Sequence, residues 1–264
     1  MASKSGIVSR LKRRKIHEVL GAGNRMDGRA LDEYREITVK IGPMEKTSGS
    51  AEVTLGKSRV LVGIKVQIGR PFEDTPGRGV LMCNAEFTPL AHPTFEPGRP
   101  RENAIELARV VDRGLRSAEI IDFDKLCLID GSHVYMVFVD IYVLSYDGNL
   151  FDAASLAAMA ALKTTMGPVH TVKNGVIKLS KKTKALKILR SPLAVTLAKI
   201  GDNFLVDPTA DEEEVLDARL TVTFDEDDNI CTVQKGGSDG ITTEELHAAL
   251  DLAQAKVAEL RKYL

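Results

Sequence analysis

The chain has few residues of the kinds that build metal or disulfide chemistry, and those few stand apart. Cys83, Cys127 and Cys231 are odd in number and lack CxxC spacing, so neither a disulfide framework nor a zinc site is indicated. The five histidines do not cluster, and no metal or other cofactor is expected. Long apolar runs are missing too: Val134 to Val139 stops at Asp140, far short of the roughly 20 residues a membrane span needs. Lys4, Arg10, Lys12, Arg13, Arg14 and Lys15 are followed by no apolar stretch of the signal-peptide kind. The protein is therefore expected in the cytoplasm. The patterns GxxxxGK[ST] and HExxH are absent, which removes the P-loop and zincin classes, and the glycine cluster KGGSDG, although it contains a GxSxG string, reads as a strand-to-helix turn leading to the Thr242 cap.

What is present is a chain of 264 residues with 44% apolar content, enough for one large domain or two fused halves around a substantial core. The net charge of -1 hides a segregation. Residues 173 to 190 carry Lys173, Lys178, Lys181, Lys182, Lys184, Lys187 and Arg190 with no acid, whereas 207 to 217 carry Asp207, Asp211, Glu212, Glu213, Glu214 and Asp217 with no base. Such runs serve either as solvated surface or as a polyanion-binding face and a face for a basic partner.

Periodicity gives the elements. Residues 9 to 20 read as a basic amphipathic helix, with Leu11, Ile16, Val19 and Leu20 apolar. Strands follow at 35 to 41, 51 to 55, 59 to 68 and in GVLMCNAEF, then a proline-stiffened loop from 88 to 100. A helix of about five turns covers 101 to 119. A long apolar strand, HVYMVFVDIYVLS, precedes the alanine-rich helix FDAASLAAMAALK, and further strands are expected at 169 to 179, 193 to 200, 215 to 224 and 229 to 235. The last helix opens on Thr242 and Glu245 at capping-box spacing. Grouped strands with isolated helices indicate an α+β fold with a mixed sheet.

The helix at 101 to 119 carries the main candidate site. Arg109, Arg113 and Arg116 fall on one side while Leu107, Val110, Val111 and Leu115 cover the other. A solvated stripe would be laced by Glu106 to Arg109 and Asp112 to Arg116 pairs, at favourable spacings. A row of like charges is otherwise explained by an anion lying across it, because forks one turn apart suit successive phosphates of a single strand. Arg99 and Arg101 add charge from the preceding loop, and Phe72, Phe87 and Phe95 are the nearest aromatics for stacking, with core roles as the alternative. The acids Asp207 and Asp217 could supply a general acid or hold magnesium, but no matched nucleophile or phosphate cradle accompanies them.

At NRMDGRALDEYREI (24 to 37) the chain resembles the ribonuclease PH superfamily, in its Arg, Asp-Gly-Arg and Glu-x-Arg pattern. The resemblance continues through ENAIELARVVDRGLR, YDGNLFDAASLAAMAAL and DPTADEEEVLDARLTV. It is greatest to the archaeal exosome subunits that pair with a catalytic ribonuclease PH-like subunit. The resemblance implies the ribonuclease PH-like fold (ribosomal protein S5 domain 2-like), with two pseudo-repeated βαβα halves. On that basis residues 1 to 24 are expected to be a basic helix and 25 to 264 the domain, with halves meeting near 190. It further implies a hexameric ring of three heterodimers, RNA-binding cap subunits, and phosphorolysis of single-stranded RNA from its 3′ end.

Catalytic relatives begin the alanine-rich helix with a Gly-Ser/Thr-Arg turn that grips the attacking phosphate. The matching positions here are Gly148, Asn149 and Leu150, and an isobutyl group offers neither the charge nor the paired donors of a guanidinium. Asp217 falls where such relatives place their acid, as half of a site. Two arginines of the paired archaeal subunit hold RNA for the neighbour's site, and they match Arg109 and Arg113, with Arg116 either a third member or paired to Asp112. The resemblance thus implies a non-catalytic, RNA-contacting subunit. The rivals are a phosphorolytic enzyme using another clamp and an architectural ring subunit.

Overall fold

In the computed structural model of the chain the described residues are 2–173 and 175–264, without the side chains of residues 2–10 and of Lys181. The side chains of Lys4, Arg10 and Lys181 therefore lie outside the described part. The first helix, α1 (Ala2–Gly21), starts earlier than residue 9. Its apolar stripe begins only at Leu11, so periodicity could not mark the preceding turns. The stripe is also narrower than the sequence suggests: Ile16 and Leu20 are buried, while Leu11 is 65% exposed.

The first sheet contains β1 (Ile37–Ile41), β2 (Gly49–Leu55), β3 (Ser58–Gly69), β4 (Val80–Phe87), β5 (Cys127–Ile129) and β6 (His133–Ser145). Its order is β1-β2-β3-β6-β4, with β5 beside β6. The strands β4 and β6 run parallel while their sheet neighbours pair antiparallel, so the sheet is mixed as expected. Parallel pairing needs a long crossover, and α2 (Glu102–Ser117) lies in that connection and packs over β4. The second sheet, β10-β9-β11-β12, is antiparallel and consists of β9 (Leu193–Ile200), β10 (Asn203–Val206), β11 (Ala218–Phe224) and β12 (Ile230–Gly237).

Between the sheets runs α3 (Leu150–Lys163), buried at every position from Leu150 to Leu162. Alanine dominates it because backbone must approach backbone on both sides. At Gly49 of β2 a Cβ would stand 2.7 Å from the Ala161 carbonyl oxygen, so glycine is required there. One apolar core joins both sheets, α2, α3 and α5 (Thr243–Leu260), and a smaller one seats α1 on Ala198, Ile200, Leu205 and Val215. The Thr242 capping box forms as the sequence predicts. Among the described residues no helix is long and apolar enough to cross a membrane.

Two expectations fail locally. The run 169–179 is not one strand but most of a hairpin, β7 (Met166–Lys173) and β8 (Val176–Ala185), turning at Gly175 with φ +76°. The Asn-Gly pair at 174–175 is the strongest short-range hairpin signal, masked by the β-branched residues around it. The strand expected at 215–224 begins at Ala218, because α4 (Ala210–Glu213), capped by its own Thr209–Glu212 box, and the turn after it take up the preceding residues.

Candidate functional site

Helix α2 buries Ala104, Leu107, Ala108, Val110, Val111, Gly114 and Leu115, and the helical period then turns Arg109, Arg113 and Arg116 outward, all exposed. Gly114 lets the helix approach β11, where a Cβ would meet Thr223 Cγ2 at 3.3 Å. The three arginines do not have equal surroundings. Arg116 donates to Asp112 (2.8 Å) and to the Leu81 carbonyl (3.0 Å), so the intrachain pair is formed. Arg113 donates to the neutral Gln234 amide oxygen at 3.1 Å. Arg109 has no hydrogen bond or ion pair among the described residues, because Glu106, the acid expected to pair with it, turns to Arg219 of β11 instead.

Most arginines elsewhere are paired with acids of the chain. Among the described residues those without a carboxylate partner are Arg70, Arg99, Arg109 and Arg113. Only Arg109 and Arg113 of these share a helix face, one turn or about 6 Å apart along the axis. The loop before the helix offers less: Arg101 pairs with Glu96. Phe87 and Phe95 pack with each other at 4.9 Å, and Phe95 stacks on Tyr146 at 5.5 Å, which favours the core alternative for both. Phe72 stays 54% exposed.

The turn before α3 is closed. Gly148 adopts φ +85°, and a Cβ there would lie 2.4 Å from the Pro208 carbonyl oxygen. Asn149 takes the left-handed conformation as N-cap and is fully buried. Its backbone N–H, the kind of donor that elsewhere binds anions at a helix start, donates to Glu213 Oε1 at 2.9 Å. Its side-chain amide donates to Asp152 Oδ2 and Asp207 Oδ1, each at 2.9 Å. Leu150 points into the apolar core at 5% exposure. With Asp147 adjacent, four carboxylates surround this turn, and Arg35 reaches Asp147, Asp207 and the Gly148 carbonyl among them, so the donors at the helix start are already taken within the chain.

Asp207 is the hub of that surround, with both carboxylate oxygens taken up by donors of its own chain. It is fully buried and accepts from Arg29 Nη1 (3.0 Å), Arg35 Nε (2.8 Å), Arg35 Nη2 (2.7 Å) and the Arg35 backbone N–H (2.9 Å). Burial alone would raise its carboxyl, but the Arg35 hydrogen bonds and charge, with Asn149, hold it below the ordinary value. Burial pushes Asp152 up to about 6 despite donors from Asn149 and Tyr34. It likewise raises Glu213, against the Tyr146 hydroxyl and the Asn149 N–H.

Much of the acidic run meets the basic N-terminal region of its own chain, while the Asp211 and Glu214 side chains stay exposed. Lys12 pairs with Asp211 and with Glu214 (2.8 Å), Arg25 with Glu212 (2.6 Å), and Arg13 with Asp217. Asp217, 8% exposed, also accepts from the Gly201 N–H at 2.7 Å. No hydrogen bond among the described residues links it to the Gly148–Leu150 turn. The residues that sequence reasoning passed over are Glu213, which occupies the helix start, and Arg25, Arg29 and Arg35, which neutralise the acids. Their signal was the three arginines of 25–35, masked in the net charge by Asp27, Asp32 and Glu33, opposite the acids of 207–213.

Comparison with known proteins agrees with this architecture. Residues 33–168 match the 3′ exoribonuclease family, domain 1, and residues 191–256 match domain 2 of that family. An exosome complex component Rrp42 of Thermococcus gammatolerans is 50% identical over 98% of this chain and 95% of its own. The Methanothermobacter thermautotrophicus Rrp42 is 43% identical over 100% of this chain and 98% of its own. A chain of the Archaeoglobus fulgidus exosome with RNA bound to the active site superposes with a TM-score of 0.88 at 42% identity, covering 97% of this chain and 98% of that one. By sequence across both domains and by fold, this chain belongs to the 3′ exoribonuclease family of ribonuclease PH-like proteins.

Proposed function

We propose that this chain is a non-catalytic subunit of an archaeal-type exosome, a phosphorolytic 3′-to-5′ exoribonuclease complex, and that it supplies RNA-backbone contacts to a catalytic ribonuclease PH-like partner. In such a complex inorganic phosphate attacks the terminal phosphodiester and a nucleoside diphosphate leaves. The observation that carries the reading is a contrast within one molecule. Arg109 and Arg113 stand exposed without carboxylates, whereas the turn that would grip phosphate is filled by Leu150 and by the Glu213 carboxylate.

The two guanidinium groups would each give charge-assisted hydrogen bonds to RNA phosphates worth roughly 1.5–3 kcal/mol before screening. Arg116, tethered to Asp112, would extend the positive field at the end of the row. Asp217, held by Arg13, is a vestigial acid serving the attachment of α1. Three heterodimers in a ring, with RNA-binding caps and a cytoplasmic location, complete the proposal, as does a division of the chain after residue 24 and near residue 190.

The test is phosphate-dependent degradation of a 3′-labelled single-stranded RNA. The purified chain alone is expected to release no nucleoside diphosphate, and a mixture with a catalytic ribonuclease PH-like partner to release it. Phosphorolysis by the isolated chain would overturn the non-catalytic assignment.

A further inference from the structure

The basic run at 173–190 has no part in the α2 arginine row or the turn before α3, and its placement is distinctive. From residue 153 to residue 201 the sequence contains no aspartate or glutamate, and the middle of this span forms the β7–β8 hairpin. The hairpin is anchored at its base, where the His170 N–H donates to the Tyr135 hydroxyl (3.0 Å) and the Met166 N–H to the Ser48 carbonyl (2.7 Å). Beyond His170 it is exposed at Thr171, Val172, Lys173, Val176, Lys178 and Leu179.

The register sorts its two faces. Thr171 lies opposite Lys178 and Lys173 opposite Val176, whereas Val172 lies opposite Ile177 and His170 opposite Leu179. Cross-strand partners share a face, so Lys173 and Lys178 project on the same side. Lys182 and Lys184 continue the exposed charge along β8, and Lys187 follows it. Within the run and among the described residues, Arg190 is the one cation with a carboxylate partner, Asp225 at 2.7 Å. Lys12, Lys125, Lys199 and Lys256 pair with acids of the chain, whereas among the described residues Lys173, Lys178, Lys182, Lys184 and Lys187 have none and lie together on one acid-free ribbon and the segment after it.

We infer that the β7–β8 hairpin is a second RNA-backbone contact, separate from the α2 arginines, at which Lys173, Lys178 and Lys182 neutralise phosphates of the single strand. The residue type favours a nucleic acid over an acidic protein. Lysine is a flexible, strongly hydrated point charge suited to a polyanion whose counterions are released, whereas fixed carboxylate recognition favours the arginine fork. Lys173 and Lys178 stand on facing strands and Lys182 lies four residues beyond Lys178 on β8, about 13 Å at strand spacing, so the ribbon presents charge along its length to a phosphate backbone without reading bases. This inference rests on the exosome reading for the identity of the strand, and its test separates the two.

In the complex with the catalytic partner, single-stranded RNA binding is measured as a function of salt for the unaltered chain, for Lys173→Gln/Lys178→Gln/Lys182→Gln, and for Arg109→Ala/Arg113→Ala. Each lost phosphate contact reduces the slope of log affinity against log salt by about 0.7, so the triple lysine variant is expected to flatten it by about 2 with unchanged melting temperature and assembly. An unchanged slope in that variant, with a flattened slope in the arginine variant, would overturn the hairpin contact and leave the α2 reading intact. The reverse pattern would uphold the hairpin and overturn the α2 reading. Loss of complex assembly by the lysine variant, with the chain itself still folded, would make the hairpin a subunit interface and overturn the inference.

Discussion

Replacing Asp207 by alanine would test whether the buried ion network holds the turn before α3. The carboxylate is fully buried and receives side-chain donors from Arg29, Arg35 and Asn149, with the Arg29 and Arg35 side chains only 10% and 9% exposed. Removing the acid leaves two guanidinium groups in low dielectric with only the partly exposed Asp27 (2.7 Å from Arg29) and Asp147 (3.3 Å from Arg35) as counter-charges. Breaking a buried pair in this way costs about 3–5 kcal/mol. Asp207 also sits at φ +52°, where an alanine Cβ adds about 1–2 kcal/mol of left-handed strain that aspartate and asparagine tolerate better. Unfolding entropy of about 2.1 cal/mol/K per residue converts the electrostatic part alone to a melting-temperature loss of roughly 5–9 °C for the 264-residue chain. Urea and thermal denaturation of Asp207→Ala and Asp207→Asn measure it, the asparagine variant sharing the lost charge but not the strain. A loss below about 1 kcal/mol in the alanine variant would refute the argument, and would mean that Asp27 and Asp147 suffice to neutralise these arginines.

Three further outcomes are expected from the same geometry. Leu150→Arg is expected to produce no phosphorolysis by the isolated chain and to lower its stability, because the new cation enters a core position beside an N–H already taken by Glu213; nucleoside diphosphate release by this variant would count against the closed turn. Asp152, raised from 3.8 to about 6, favours the folded state as it takes up a proton, so its contribution falls by about 3 kcal/mol as pH rises from below 4 to above 6; urea midpoints of Asp152→Asn against pH should lack this fall, and an unaltered profile would contradict it. Asp207 acts with the opposite sign, its contribution being lost as pH falls through its lowered value. Gly49→Ala should destabilise by more than the cost of an ordinary surface change, since the added methyl meets the Ala161 carbonyl oxygen at 2.7 Å and the Thr165 hydroxyl at 2.5 Å; a neutral effect in thermal unfolding would mean that β2 and α3 can separate.

The α2 arginine row was legible in the sequence because a 3.6-residue period separates Leu107, Val110, Val111 and Leu115 from Arg109, Arg113 and Arg116 without tertiary information. Which arginine stays unpaired was not legible. Glu106 sits at helical spacing from Arg109, yet its partner is Arg219, from a strand 113 residues further along the chain. Local spacing competes poorly with a cation placed by the fold. The acidic run illustrates the same limit: its partners Lys12, Arg13 and Arg25 lie near the other end of the sequence, so composition showed the charge and only the fold showed what neutralises it. Leu150 was legible through resemblance, since the departure from a Gly-Ser/Thr-Arg turn stands in the letters themselves. The Glu213 carboxylate on the Asn149 N–H was not, because it depends on α4 closing over that turn.

The most direct measurement is the rate of phosphate-dependent degradation of a 3′-labelled single-stranded RNA by the assembled complex, at subsaturating RNA, with and without Arg109→Ala/Arg113→Ala in this chain. Both side chains are exposed and carry no carboxylate, so the double variant should fold and assemble normally while the rate falls and its salt dependence flattens by about 1.4, two contacts at roughly 0.7 each. An unchanged rate and slope in the assembled variant would remove the row from the RNA path and contradict the account.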